Sequence, residues 1–136
     1  SANAVASSVD LHYYYSSSFN KHSLINPSSL KASPYDANPR TIYWPAAPST
    51  ATVLRTTSLT VAQFDSVANQ ATLESFYNSG TNAVYSGITT AGDRAELTGA
   101  GQILAFRNGN GKYGIIHVKS VNSSSAGAVV DIKVQN

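Results

Sequence analysis

Asp10, His12 and Tyr14 stand two residues apart in "VDLHYYY", so a strand there places all three side chains on one face. A carboxylate beside an imidazole can open a metal site or orient the ring for acid–base work. The competing reading is that the three form the solvated face of the strand. A metal site needs three or four ligands, the other histidines are His22 and His117, and no His-x-His or HExxH spacing occurs. No Gly-x-Ser-x-Gly elbow presents a serine nucleophile. The acids Asp36, Asp65, Glu74, Asp93 and Glu96 are isolated in the sequence, with nothing to bracket two of them as a glycosidase pair. No residue is therefore assigned a catalytic role and none a metal. The second candidate is Tyr43 with Trp44 in "TIYWPAAPST", where prolines hold two aromatics that can stack on a sugar ring. The alternative is that Trp44 closes over one end of the core.

The chain that must position these residues has 136 residues, enough for one domain with its own core. It has no cysteine, which excludes disulfides, thiolate metal sites and a cysteine nucleophile. Charged residues make up only 12%, while Ser, Thr, Asn and Tyr are abundant, a bias of exported and surface proteins. The net charge is +2, and the basic residues are scattered without the stripe that a nucleic-acid partner requires. No apolar run approaches the ~20 residues of a membrane span. The first residue is Ser, with no basic and apolar leader after it, as expected of a mature or trimmed product.

In the first strand Val9, Leu11, Tyr13 and Tyr15 form the face expected in the core, and "SSSFNKHS" ends the alternation. Residues 26 to 50 hold all five prolines and are expected as a long, stiff surface loop, with a short strand at Thr41 to Trp44. Residues 51 to 57 suit a strand. In "SLTVAQFDSVANQA", Val61, Phe64, Val67 and Ala68 share a helical face, and Thr60 with Gln63 has capping-box spacing. Thr72 suits a second cap, for a helical segment ending near "NSG". Short strands are expected at Ala83 to Tyr85 and Ala95 to Leu97.

The last third predicts an antiparallel meander: "GQILAFRN", "KYGIIHVKSV" and "GAVVDIKVQN". Ala128, Val130, Ile132 and Val134 are expected to face the core. The opposite face is read as wet, with Lys119 near Asp131 and His117 near Lys133. A phosphate cradle needs glycines that lead into a helix, whereas "NGNGK" leads into another strand. These glycines are expected to shape a hairpin turn.

The order "ANAVASSVDLHYYY", "INPSS", "SPYD", Trp44, "LTVAQFDSV" and "GQILAFRNGNGKYGIIHVKSV" to "GAVVDIKVQN" resembles a group of exported, lipid-anchored proteins of the Bacteroidetes. Their pattern closes in a G-x-hydrophobic-x-A-F-K-T-x-x-G-K-Y-G hairpin. The resemblance covers most of the chain, and carries no catalytic motif. The chain departs from it with Arg107 and Asn108 in place of Lys-Thr, a change expected to touch only the turn. What the resemblance implies is an address in the periplasm or at the cell surface, with a lipid-attachment cysteine upstream of Ser1.

The expectation is thus a single α+β domain over residues 1 to 136, standing alone or as the C-terminal part of a longer exported protein. A mainly antiparallel sheet, built from the first strand and the meander, carries one helical region at about residues 60 to 78. The alternative is a β-sandwich with a helical insertion. Val9, Leu11, Tyr13, Phe64, Val67, Phe106, Ile116, Val118, Ile132 and Val134 are expected in one contiguous core. The function expected is a non-enzymatic exported module without cofactor, binding a glycan or an envelope protein through Tyr43, Trp44, Asp10, His12 and Tyr14. The alternatives are a hydrolase or metal-dependent enzyme centred on Asp10 and His12, and a purely structural surface domain.

Overall fold

The computed structural model describes residues 10–26, 52–85 and 91–136. Val9, the proline-rich segment at 27–51 with its expected strand, Tyr43 and Trp44 lie outside the described residues. The described part is α+β and mainly antiparallel. A three-stranded sheet holds β1 (His12–Ser16), β2 (Lys21–Ile25) and β5 (Arg94–Leu97) in the order β1-β2-β5. A five-stranded sheet has the order β4-β3-β6-β7-β8, from β3 (Val53–Thr56), β4 (Thr81–Asn82), β6 (Ile103–Arg107), β7 (Tyr113–Val121) and β8 (Ala128–Val134). Two helices, α1 (Val61–Asp65) and α2 (Gln70–Ser79), connect β3 to β4.

The helices begin where side chains satisfy their first amides. Thr60 and Gln63 form the reciprocal capping box, with Thr60 Oγ1 accepting from the Gln63 amide at 3.2 Å and Gln63 Oε1 from the Thr60 amide at 2.8 Å. The second cap is Asn69 rather than Thr72: Asn69 Oδ1 accepts from both the Thr72 amide and the Thr72 hydroxyl at 2.9 Å. Thr72 is the residue that this cap serves. The α1 helix has no basic residue in its own last turn. Lys133 of β8 supplies the charge, donating to the Phe64 carbonyl at 2.7 Å and the Asp65 carbonyl at 3.3 Å.

Two expectations need correction here. The first strand does not join the meander's sheet; it pairs with β2, and β2 pairs with β5. The core is not one cluster but two, on opposite faces of the five-stranded sheet. On one face Leu54, Leu104, Phe106, Ile116 and Val118 meet Leu24, Ala95 and Leu97 of the smaller sheet, with Leu11 and Tyr13 at the margin. On the other, Ile103, Ala105 and Ile115 meet Phe64, Leu73 and Tyr77 of the helices, with Val67 at the margin. Strand alternation sends adjacent residues to opposite faces, so Phe64 cannot share a cluster with Ile116. The fold joins the sandwich and the helix-on-sheet arrangements in one molecule.

The meander is present, with its outer face changed. Lys119 and Asp131 form an exposed ion pair at 3.4 Å. His117 lies opposite Asp131 rather than Lys133, and a register shift lies between Val118 and Ser120. The face is not wet throughout: the His117 ring packs on Phe64 at 5.3 Å, and Gln135 donates to the Gln70 carbonyl at 2.9 Å. Ile132 and Val134, expected in the core, are 51% and 48% exposed. They sit on the outermost strand, beyond the cover of the smaller sheet's buried cluster.

Candidate functional site

The β1–β2 hairpin turns at Ser17 to Asn20, where Asn20 takes a positive φ of 50°, a conformation that asparagine tolerates. The register sets Tyr13 opposite Leu24 and Tyr15 opposite His22. His22 is buried at 4% exposure. Its Nε2 meets the Asn122 carbonyl oxygen at 2.6 Å, and its Nδ1 meets the Tyr13 hydroxyl at 2.7 Å. A carbonyl only accepts, so Nε2 carries the proton in the first bond. The Tyr13 hydroxyl also accepts from the Gly127 amide at 2.8 Å. Asn20 donates to the Ser123 carbonyl at 2.7 Å and accepts from the Tyr15 hydroxyl at 3.0 Å. The smaller sheet thereby holds the β7–β8 connection from both ends.

Between them lies an open groove of about 330 Å³, lined by Asn20, Lys21, His22, Glu96, Leu97, Thr98, Val121, Asn122 and Ser123. Lys21 and Glu96 bridge at 3.2 Å on one wall, each side chain about one-third exposed. The groove presents polar and apolar surface in about equal measure, and its shape is fixed by bonds reaching from residue 13 to residue 127. In the sequence it was hidden in "SSSFNKHS" and "NSSSAG", segments that show no periodicity. The pairing of Tyr13, on a core-facing stripe, with a histidine nine residues later was the available signal.

The sequence-predicted residues lie elsewhere. Asp10 Oδ2 accepts from Asn108 Nδ2 at 3.2 Å. Asn108 is buried, and its Oδ1 accepts from the Asn110 and Lys112 amides at 3.0 and 2.9 Å. The "NGNGK" segment is thus a hairpin turn: Gly111 donates to the Asn108 carbonyl and has φ of +79°, as a three-residue loop closed by a left-handed residue requires. The Asn108 side chain reaches beyond the turn and ties the hairpin to Asp10.

His12 pairs with Ile25, and Tyr14 lies opposite Ser23. Tyr14 flanks Arg94, whose guanidinium lies 5.1 Å from the Tyr14 ring and 3.8 Å from that of Tyr85. Arg94 is 2% exposed and donates from Nε to Ser23 Oγ at 2.9 Å, with Ser23 itself fully buried. Asp10, His12 and Tyr14 are half-buried, as are Leu11, Tyr13 and Tyr15 on the opposite face, so burial does not set the two faces of this strand apart. Among the described residues, no three His, Cys, Asp or Glu side chains gather as metal ligands. No helix among them is long and apolar enough to cross a membrane.

Comparison of the chain with protein-family models, with curated proteins and with solved structures gives no match in any of the three.

Proposed function

We propose that this chain is a non-enzymatic, exported module that binds a glycan, and that the groove between the β1–β2 hairpin and the β7–β8 connection takes part in holding it. The observation that carries this reading is the state of the groove's ionisable groups. Lys21 and Glu96 bridge each other, and both ring nitrogens of His22 are bonded. Neither His22 nitrogen is left to take a substrate proton, and the Lys21–Glu96 bridge holds the remaining donors and acceptor of that pair in fixed positions. A glycan asks for something different: fixed donors and acceptors for hydroxyls beside an apolar surface. Lys21 has two further protons and Glu96 a second carboxylate oxygen to offer, with Thr98 beside them and Leu97 and Val121 as apolar floor.

Tyr43 and Trp44 belong to this proposal as a stacking platform, on the strength of the sequence alone. The envelope address and the upstream lipid anchor rest on the resemblance. The enzyme reading has less to stand on, because Asp10 is engaged by Asn108 and not by His12 in the bonds described.

A glycan array, followed by calorimetry with the oligosaccharides retained, tests the reading. Glu96→Gln, which keeps shape and removes charge, should weaken binding ~tenfold; ligand should quench or shift the fluorescence of the single tryptophan in the wild type, and Trp44→Ala should weaken capture measured by calorimetry. An array without signal would overturn the glycan reading. Binding that Glu96→Gln leaves unchanged and Trp44→Ala abolishes would move the site from the groove to the loop.

A further inference from the structure

The outermost strand of the five-stranded sheet is β8, and among the described residues no strand pairs with its outer edge. It is long for an edge, with seven residues, and Val129, Ile132 and Val134 are 55%, 51% and 48% exposed. Solitary sheet edges are usually blunted by brevity, proline or free charges. The opposite edge follows that rule, since β4 has two residues. On β8 the charges are occupied: Asp131 bridges Lys119, and Lys133 is turned back to the α1 carbonyls.

The phase of the ladder decides which main-chain groups face outward. Gln135 donates its amide to the Tyr113 carbonyl at 2.9 Å. By alternation the main-chain groups of Lys133 and Asp131 also point to β7, and those of Val130, Ile132 and Val134 point away from it. The outward amides and carbonyls therefore belong to the three residues of the apolar stripe.

We propose that a second copy of this chain pairs here, β8 antiparallel to β8 about a two-fold axis at Ile132, joining two five-stranded sheets into one. This register sets Ile132 opposite itself, Val130 opposite Val134, and Asp131 opposite Lys133 on both sides of the axis. It uses the outward main-chain groups, continues the apolar stripe across the seam and sets no like charges opposite each other on the other face. An axis at Asp131 or Lys133 also engages the outward main-chain groups, but sets like charges opposite each other. An axis at Val130 sets Asp131 against Val129, and one at Val134 sets Lys133 against Gln135. Every residue-centred axis matches the phase of the ladder, and side-chain complementarity selects the one at Ile132. The inference stands apart from the glycan reading, which concerns the opposite end of the β7–β8 hairpin.

Sedimentation equilibrium of the full chain tests it, alone and as two variants. The wild type should show a concentration-dependent dimer. Ile132→Lys, which sets two cations face to face, should raise the dissociation constant at least ~tenfold with an unchanged far-UV spectrum. Because the chain has no cysteine, Ile132→Cys supplies a unique thiol. Across the axis its Cα atoms would be about 5.5 Å apart, within disulfide reach, so mild oxidation should give a covalent dimer. Ser125→Cys, in the exposed β7–β8 connection, should crosslink much more slowly. A wild type that stays monomeric to millimolar concentration would overturn the proposal. So would a dimer that Ile132→Lys leaves equally tight, or equal crosslinking at residues 125 and 132.

Discussion

Strands β7 and β8 are written in the same alphabet and lie side by side, yet they occupy different environments. Ile116 and Ile132 are cross-strand partners, as are Val118 and Val130. Ile116 and Val118 are fully buried, whereas Ile132 is half exposed and Val130 partly buried. The β7 strand has β6 on one side and β8 on the other, the smaller sheet's cluster over one face and α2 over the other. At the edge, β8 keeps a partner on one side only. Alternation assigns a residue to a face of a strand; depth is set by the strand's place in the sheet, which depends on pairings remote in sequence.

The sharpest way to break this comparison is to truncate both partners. Ile116→Ala should cost ~2–5 kcal/mol, because the site is closed on all sides and leaves a cavity. Chemical denaturation measures it directly, and a cost below that of an exposed alanine substitution would mean that β7 is not central.

A smaller effect is expected two residues away on the same strand. Gly114 lies opposite Phe106, whose ring covers it, and a Cβ there would also sit 2.8 Å from the Lys133 carbonyl oxygen. Gly114→Ala should destabilise by ~1–3 kcal/mol through overpacking, although its backbone is ordinary strand. A thermal melt unchanged by this substitution would show that the Phe106 ring can move aside, and that β7 is less tightly held than its burial implies.

What was legible in the sequence was local. Thr60 and Gln63 are three residues apart and form their capping box without help from the rest of the chain. The Asn108 to Lys112 turn closes within five residues. The β2 strand was not legible, because Lys21, His22 and Ser23 break any apolar alternation. They sit in a sheet because their polar atoms find distant partners: His22 at Asn122, Ser23 at Arg94 and Lys21 at Glu96. Burial of a polar side chain is tolerated when it is bonded, and partners 71 to 100 residues away leave no periodicity to read. The groove was missed for the same reason. Asp10 was singled out for its spacing to His12, while its bond runs to Asn108.

That bond gives the third prediction. Asn108→Ala removes two acceptor bonds inside the turn and the tether to Asp10, and should cost ~1–2 kcal/mol. Asn108→Asp, which retains the acceptor oxygen and loses the donor, should recover most of the turn but place two carboxylates together. Equal stability of the alanine variant and the wild type would mean that the glycine-rich turn holds its shape without the side chain.

The smallest effect is expected at Ile132, and it sharpens the comparison because it depends on concentration. In a dilute sample Ile132→Ala loses only the contacts of a half-exposed side chain, and its cost should stay under ~1 kcal/mol. If β8 pairs with a second copy, the wild type gains stability as protein concentration rises, since the dimer binds the folded state alone. The alanine variant gains less, because truncation at the axis removes apolar contact from both chains at once. The difference between the two midpoints should therefore widen across a series of increasing protein concentrations. Ile116→Ala, measured over the same series, should keep a constant offset from the wild type, since its side chain is buried within one chain and does not touch the seam. Parallel curves for Ile132→Ala and the wild type would leave β8 as a solitary edge, half covered and unpaired in solution.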